Sequence, residues 1–219
     1  MSSSFLNVQA LADRARFWLA RRSGDEARLR GFSAPLEALA AEAAGKTVAV
    51  VGNARSLTTT QFGPQIDAAD IVIRLNKGEI SAPEGQGRRT DWLAMSVPVA
   101  PDIIRAHDPK RLLWVTPKRR RLPYHVASDP RFCLLPEDHS DRLRATLGSR
   151  PSTGVMIIAL AASLPVASLR IYGFDFFATL STTGGRSAAQ VPHDFAAEKL
   201  WVEALVAADP KIELIRAQS

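Results

Sequence analysis

Short apolar runs recur along the chain, most of them bounded by Gly, Pro, Asn or Asp, and longer runs at helical spacing lie between some of them. "TVAVVGN" (Thr47 to Asn53), "DIVIRLN" (Asp70 to Asn76), "DWLAMSV" (Asp91 to Val97), "RLLWVT" (Arg111 to Thr116), "RFCLL" (Arg131 to Leu135), "SLRIYGF" (Ser168 to Phe174) and "KIELIRA" (Lys211 to Ala217) read as strands. "PLEALAAEAAG" (Pro35 to Gly45), "STGVMIIALAASL" (Ser152 to Leu164) and "HDFAAEKLWVEALVAA" (His193 to Ala208) read as helices. The glycine-rich "GEISAPEGQGRRT" (Gly78 to Thr90) reads as a loop. The alternation predicts an α/β fold: a single Rossmann-like domain with a mostly parallel central sheet and helices on both faces. Residues 1–34 form a separate basic amphipathic segment in this reading, and residues 35–219 the domain. In the first segment Phe5, Val8, Leu11, Ala12, Ala15, Trp18 and Leu19 recur at helical spacing among Arg14, Arg16, Arg21 and Arg22. This stripe docks on the protein's own core or lies on an anionic membrane surface, core docking being the commoner outcome for such a helix.

Composition narrows the class. At 219 residues the chain is long enough to bury a substantial core. No apolar run is long enough to cross a bilayer, and arginines interrupt the N-terminal apolar stretch as they would not in a signal peptide. Cytoplasmic residence is the expectation. The single cysteine, Cys133, excludes an intrachain disulfide and leaves a cysteine metal site without partners. A net charge of +6 favours anionic partners, and part of the excess sits in "TPKRRRLPY" (Thr116 to Tyr124), which reads equally as a solvated face or a binding patch.

Four stretches carry candidate chemistry. Gly52-Asn53 ends the first strand, where open α/β sheets bind ligands. Neither G-x-G-x-x-G nor G-x-x-x-x-G-K-[ST] occurs, which disfavours a standard dinucleotide loop and a P-loop. The Asn53 carboxamide can donate and accept at once, as a nucleobase edge or ribose requires, although a plain turn residue looks the same. Asn76 ends the next strand, so two carboxamides can face one crevice. Ser152, Thr153 and Gly154 open an apolar helix, where hydroxyls and free N–H groups make an anion site or a simple cap. His193 and Glu198 stand in an H-x4-E arrangement that differs from the zinc-binding H-E-x-x-H. The carboxylate can orient or tune the imidazole, and the helix N-terminus keeps it neutral and able to accept a proton.

In this order the stretches resemble the motifs of the sialyltransferase family, glycosyltransferase family 29. "VAVVGNARSLTTTQFGPQIDAADIVIRLNKGEISAPEGQGRRTD" is similar to its large motif, "PSTGVMIIALAASLPVASLRIYGFDF" to its small motif, and His193 to Glu198 to its very small motif. The resemblance implies a cytidine monophosphate (CMP) sugar donor, inverting transfer, and neither cofactor nor metal. It implies that Gly52, Asn53, Asn76, Ser152, Thr153, Gly154 and Gly173 bind the nucleotide, that His193 is the catalytic base and that Glu198 supports it. Three departures stand out. Valines, Val48 and Val166, occupy the positions aligned with the cysteines that the animal enzymes join. "FATLSTTGGRSAAQVP" (Phe177 to Pro192) holds no counterpart of the family's His-Tyr pair, which leaves Ser181, Thr182, Thr183 or Arg186 to assist at the phosphate. The animal enzymes' membrane anchor and stem have no counterpart either, which suits a cytoplasmic enzyme with its basic N-terminal segment at the inner membrane face.

The reading that follows is a transferase moving sialic acid from CMP-sialic acid to the hydroxyl of a glycan or lipid-linked glycan. A CMP-3-deoxy-manno-octulosonate-dependent transferase and an inert nucleotide-sugar binding module are the alternatives. Nucleic-acid binding rests on the basic runs alone and is not expected. The acceptor pocket is expected in the loops Val97 to Asp108, Lys118 to Ser128 and Phe176 to Val191.

Overall fold

All seven expected strands pair into one parallel sheet of order β5-β4-β3-β2-β1-β6-β7: β1 (Thr47–Val51), β2 (Ile71–Leu75), β3 (Trp92–Met95), β4 (Arg111–Trp114), β5 (Phe132–Leu134), β6 (Ser168–Tyr172) and β7 (Ile212–Ile215). The computed structural model describes residues 2–176 and 193–216, with side chains from residue 11 onward. Ten α-helices lie among the described residues. The first five are α1 (Ser2–Ser23), α2 (Glu26–Arg30), α3 (Leu36–Ala43), α4 (Gly63–Asp67) and α5 (Pro83–Gln86). The others are α6 (Pro101–His107), α7 (Tyr124–Ala127), α8 (Glu137–Leu147), α9 (Thr153–Ser163) and α10 (Phe195–Ala208). Short 3-10 turns occupy Arg55–Thr59 and Arg119–Arg121.

The strands read as near-continuous apolar runs because both of their faces are covered. On one face Val48, Val50, Ile73 and Ile171 pack with Leu39 of α3, Ile157 and Ile158 of α9 and Val202 of α10. The other face is divided. Leu93, Met95, Trp114 and Phe132 lie under Phe17 and Ala20 of α1 and Leu29 of α2, while Ala49, Val51, Val72 and Tyr172 lie under Leu57 and Ile66. Val48 and Val166 are both buried in the first of these clusters. Cys133 is buried in β5, and desolvation pushes its thiol up to about 11, which makes it an inert core residue.

Two expectations change. The N-terminal segment does dock on the core, but through Phe17 and Ala20; of the stripe read from the sequence, Leu11, Ala12, Ala15, Trp18 and Leu19 face outward, and the side chains of Phe5 and Val8 lie outside the described residues. Core pairing chose the face, because Phe17 packs edge-on against Phe32 and beside Tyr124. The basic run after β4 is partly internal. Arg119 is buried, and its guanidinium donates to Glu26 at 2.8 and 2.7 Å and to the carbonyls of Thr116 and Leu135. This arginine ties α2 to the ends of β4 and β5.

Strand order locates the ligand crevice. The chain builds outward from β1 to β5, then returns to place β6 on the other side of β1, so β1 and β6 flank a topological switch point. Parallel sheets bind ligands beyond the carboxyl ends of strands at such a point.

Candidate active site

Glycine controls how closely the two switch-point strands approach. Gly52 follows β1 and its N–H donates to the carbonyl of Tyr172 at 2.7 Å. A Cβ on Gly52 would lie 2.3 Å from the carbonyl oxygen of Gly173, a backbone atom that cannot yield cheaply. Gly173 follows β6 at φ +69°, the left-handed region that favours glycine. The ring of Phe174 then lies over Gly52 and Gly154, where a Cβ would meet it at 2.9 and 2.4 Å. Gly52, Gly154 and Gly173 thus share one small neighbourhood.

Asn53 continues from Gly52, and Asn76 follows the neighbouring strand β2 at φ 55°. Asn76 Oδ1 accepts from the N–H of Ser96 at 3.0 Å, and its own N–H donates to Ala94 at 2.7 Å. One bond holds the backbone and the other the side-chain oxygen, so hydrogen bonds that Asn76 donates to a ligand come from Nδ2. Ser96 was not singled out in the sequence, yet its Oγ is buried here without a partner among the described residues.

The start of α9 is clasped by α10. Buried Glu198 accepts from the Ser152 N–H at 2.6 Å through Oε1 and from the Ser152 hydroxyl at 2.8 Å through Oε2. Ser152 Oγ in turn caps the helix by accepting from the N–H of Val155 at 3.3 Å. Burial raises the Glu198 carboxyl above its ordinary value, and the two bonds from Ser152 oppose that rise. Both donors of Ser152 therefore serve Glu198 while its oxygen caps α9, the cap alternative among the readings of this stretch, and Glu198 bonds Ser152 where the spacing suggests the imidazole. At the start of α9 the first-turn N–H groups of Thr153 and Gly154 have no acceptor within the helix and are available to a ligand.

His193 is oriented from elsewhere. Its Nδ1 lies 2.8 Å from the carbonyl oxygen of Arg150, and since a carbonyl only accepts, Nδ1 carries the proton. In the neutral ring the lone pair is then on Nε2. Burial holds the imidazole below its ordinary value; the hydrogen bond to the Arg150 carbonyl opposes the shift, and the charges of Arg150 and Lys118 add to it by smaller amounts. Lys118 is itself lowered by burial and by Arg150 and Arg121, so the two cations near the imidazole, Lys118 and Arg150, also act on each other. Asp194 caps α10, accepting from the N–H of Ala197 at 3.0 Å. Ser181, Thr182, Thr183 and Arg186, the alternative phosphate partners, lie outside the described residues. Two of the three segments expected as acceptor loops are partly helical, Val97 to Asp108 containing α6, and Lys118 to Ser128 containing Arg119–Arg121 and α7. Among the described residues no group of three or more His, Cys, Asp or Glu side chains is placed to hold a metal ion.

Residues 29–111 match the model of glycosyltransferase family 29 (sialyltransferase). No curated protein matches the chain. Among solved structures, a mammalian sialyltransferase in complex with Gal-beta-1-3GalNAc-ortho-nitrophenol is 17% identical with a TM-score of 0.65, over 94% of this chain and 86% of that one. A further mammalian sialyltransferase structure is 20% identical with a TM-score of 0.59, over 80% of this chain and 70% of that one. The sialyltransferase CstII from Campylobacter jejuni, in complex with the substrate analogue CMP-3FNeuAc, is 14% identical with a TM-score of 0.51, over 79% of this chain and 81% of that one. The sialyltransferase resemblance is thereby borne out over the large motif, which lies within residues 29–111, while the small and very small motifs lie outside the matched residues; the fold is similar to that of the sialyltransferase structures over most of the chain.

Proposed function

We propose that the protein transfers sialic acid from CMP-sialic acid to a glycan hydroxyl, with inversion and without a metal, and that His193 is the general base. The observation that carries the reading is the fixed tautomer of His193, with Nδ1–H engaged by Arg150 and Nε2 basic. The acceptor oxygen attacks the anomeric carbon as its proton passes to Nε2. The bond from that carbon to the phosphate oxygen breaks, and its electron pair leaves with CMP. The N–H groups of Thr153 and Gly154, at the N-terminus of an eleven-residue helix, are suited to the charge that develops on the phosphate. Lys118 and Arg150 supply positive charge where the resemblance leaves the family's His-Tyr pair without a counterpart. Asn53 and Asn76 are suited to the cytidine and its ribose. Ser152 and Glu198 act as positioning residues that fix the start of α9 against α10.

The name of the mammalian structure points to a glycan acceptor and that of the Campylobacter structure to a CMP-linked donor, in line with this reading. Calorimetric titration with CMP, with and without magnesium, followed by transfer assays with CMP-sialic acid and CMP-3-deoxy-manno-octulosonate, tests it. Metal-independent CMP binding and transfer from the first donor are expected. Transfer from the second donor alone would reassign the sugar, and binding without transfer from either would leave a nucleotide-sugar binding module.

A further inference from the structure

The outward face of α1 has a composition that its packing does not explain. Phe17 and Ala20 fix the helix to the core, and Arg21 bonds the carbonyl of Leu122 at 3.0 Å while its guanidinium lies 4.0 Å from the centre of the Trp18 ring. On the opposite side Leu11 (67% exposed), Trp18 (42%) and Leu19 (63%) lie open. Positions 11, 15, 18 and 22 succeed one another at helical spacing, so Leu11, Ala15 and Trp18 form one stripe that ends in Arg22. Arg14 borders it on one side and Arg16 on the other, and all three arginines are exposed. Isolated surface leucines are ordinary, whereas a contiguous strip of two leucines and a tryptophan is not.

The geometry points to this face of α1 as a docking surface for an anionic phospholipid bilayer. Apolar residues along the middle of the face enter the headgroup boundary while Arg14, Arg16 and Arg22 meet lipid phosphates at its margins. Charge decides between this occupant and a second copy of the chain. Asp13 is the one carboxylate between residues 11 and 23, and it pairs with Arg16 at 3.3 Å, so two such faces would meet with their arginines opposed. The helix inserts along its face and does not span: among the described residues no helix is long and apolar enough to cross a membrane.

Vesicle co-sedimentation of the full chain tests the assignment without donor or turnover, so its failure is separate from failure of the transferase reading. Phosphatidylcholine vesicles with and without phosphatidylglycerol are the probes, in low and in high salt. Binding is expected to need the anionic lipid and to weaken with salt. Arg14→Gln, Arg16→Gln and Arg22→Gln together should weaken it on the order of 100-fold, and Leu11→Gln with Leu19→Gln by roughly tenfold or more. Circular dichroism melting should be unchanged in both variants, since every replaced side chain is exposed. Absence of binding by the folded wild-type protein, binding that either variant retains in full, or concentration-dependent dimers that the leucine variant abolishes would each overturn the proposal, the last by assigning the face to a second copy.

Discussion

Buried polar side chains occur in both halves of the motif-bearing region, and they do different work. In the first half, buried Arg74 donates to the carbonyls of Arg89 at 2.8 Å and Gln86 at 2.7 Å, and Gln86 Oε1 accepts from the N–H groups of Ser81 and Ala82, both at 2.8 Å. Asp67 accepts from the N–H groups of Arg88 and Arg89, and Asp91 from that of Val72. These side chains close on backbone and satisfy the polar groups of the segment between β2 and β3 that contains α5. In the second half, the Ser152–Glu198 clasp also fixes backbone, but His193 keeps a basic nitrogen after the hydrogen bond that its Nδ1 donates to Arg150. The first half is mainly a frame, and the second holds the imidazole nitrogen to which the proposed transfer assigns the proton.

Substitutions on the two sides should therefore fail differently. The largest loss of stability is expected from Arg74→Ala, which leaves two buried carbonyls without donors and should cost about 3 kcal/mol or more in urea unfolding. Burial pulls Arg74 down to about 10, so it remains charged at neutral pH, and Arg74→Lys should rescue only part of the loss because one ammonium cannot copy its fork. Gly52→Ala should cost roughly 1–3 kcal/mol and weaken CMP binding in calorimetry, since the new Cβ displaces the Gly173 backbone. Glu198→Gln places one amide oxygen before two donors, so about 1–3 kcal/mol of stability should be lost, with transfer reduced on the order of tenfold in kcat if α9 shifts.

The smallest effect concerns pH. His193 is lowered by burial, so its neutral, basic form persists above its folded pKa and is lost as pH falls through that value. The acid limb of kcat/KM should lie below the ordinary histidine value of about 6.5. Removing a neighbouring cation with Lys118→Ala should move the limb upward, and an unmoved limb would take Lys118 out of the site's electrostatics.

The strands were legible because burial on both faces makes each one a short apolar run, and β1 to β7 all fall within the runs read from the sequence. The close approach of Gly52 to Gly173 was not legible, because it depends on pairing between β1 and β6 across more than a hundred residues of chain. The partner of Glu198 was hidden for the same reason: spacing on one helix suggested His193, and tertiary packing supplied Ser152. On α1 apolar residues lie on two sides, so periodicity alone selected the stripe of Leu11, Trp18 and Leu19, and the aromatic contacts of Phe17 decided which side went in. Arg150 and Lys118 carried no motif signal that distinguished them from the other basic residues. Their proximity to His193 emerges only from the fold.

The central claim is that His193 moves the proton and does not hold the nucleotide, and His193→Ala tests it most directly when CMP affinity and transfer from CMP-sialic acid are measured on the same folded preparation. The account predicts CMP affinity within a fewfold of wild type and transfer reduced by roughly 100-fold to 10,000-fold. Transfer near the wild-type rate, or CMP binding lost together with transfer, would contradict it.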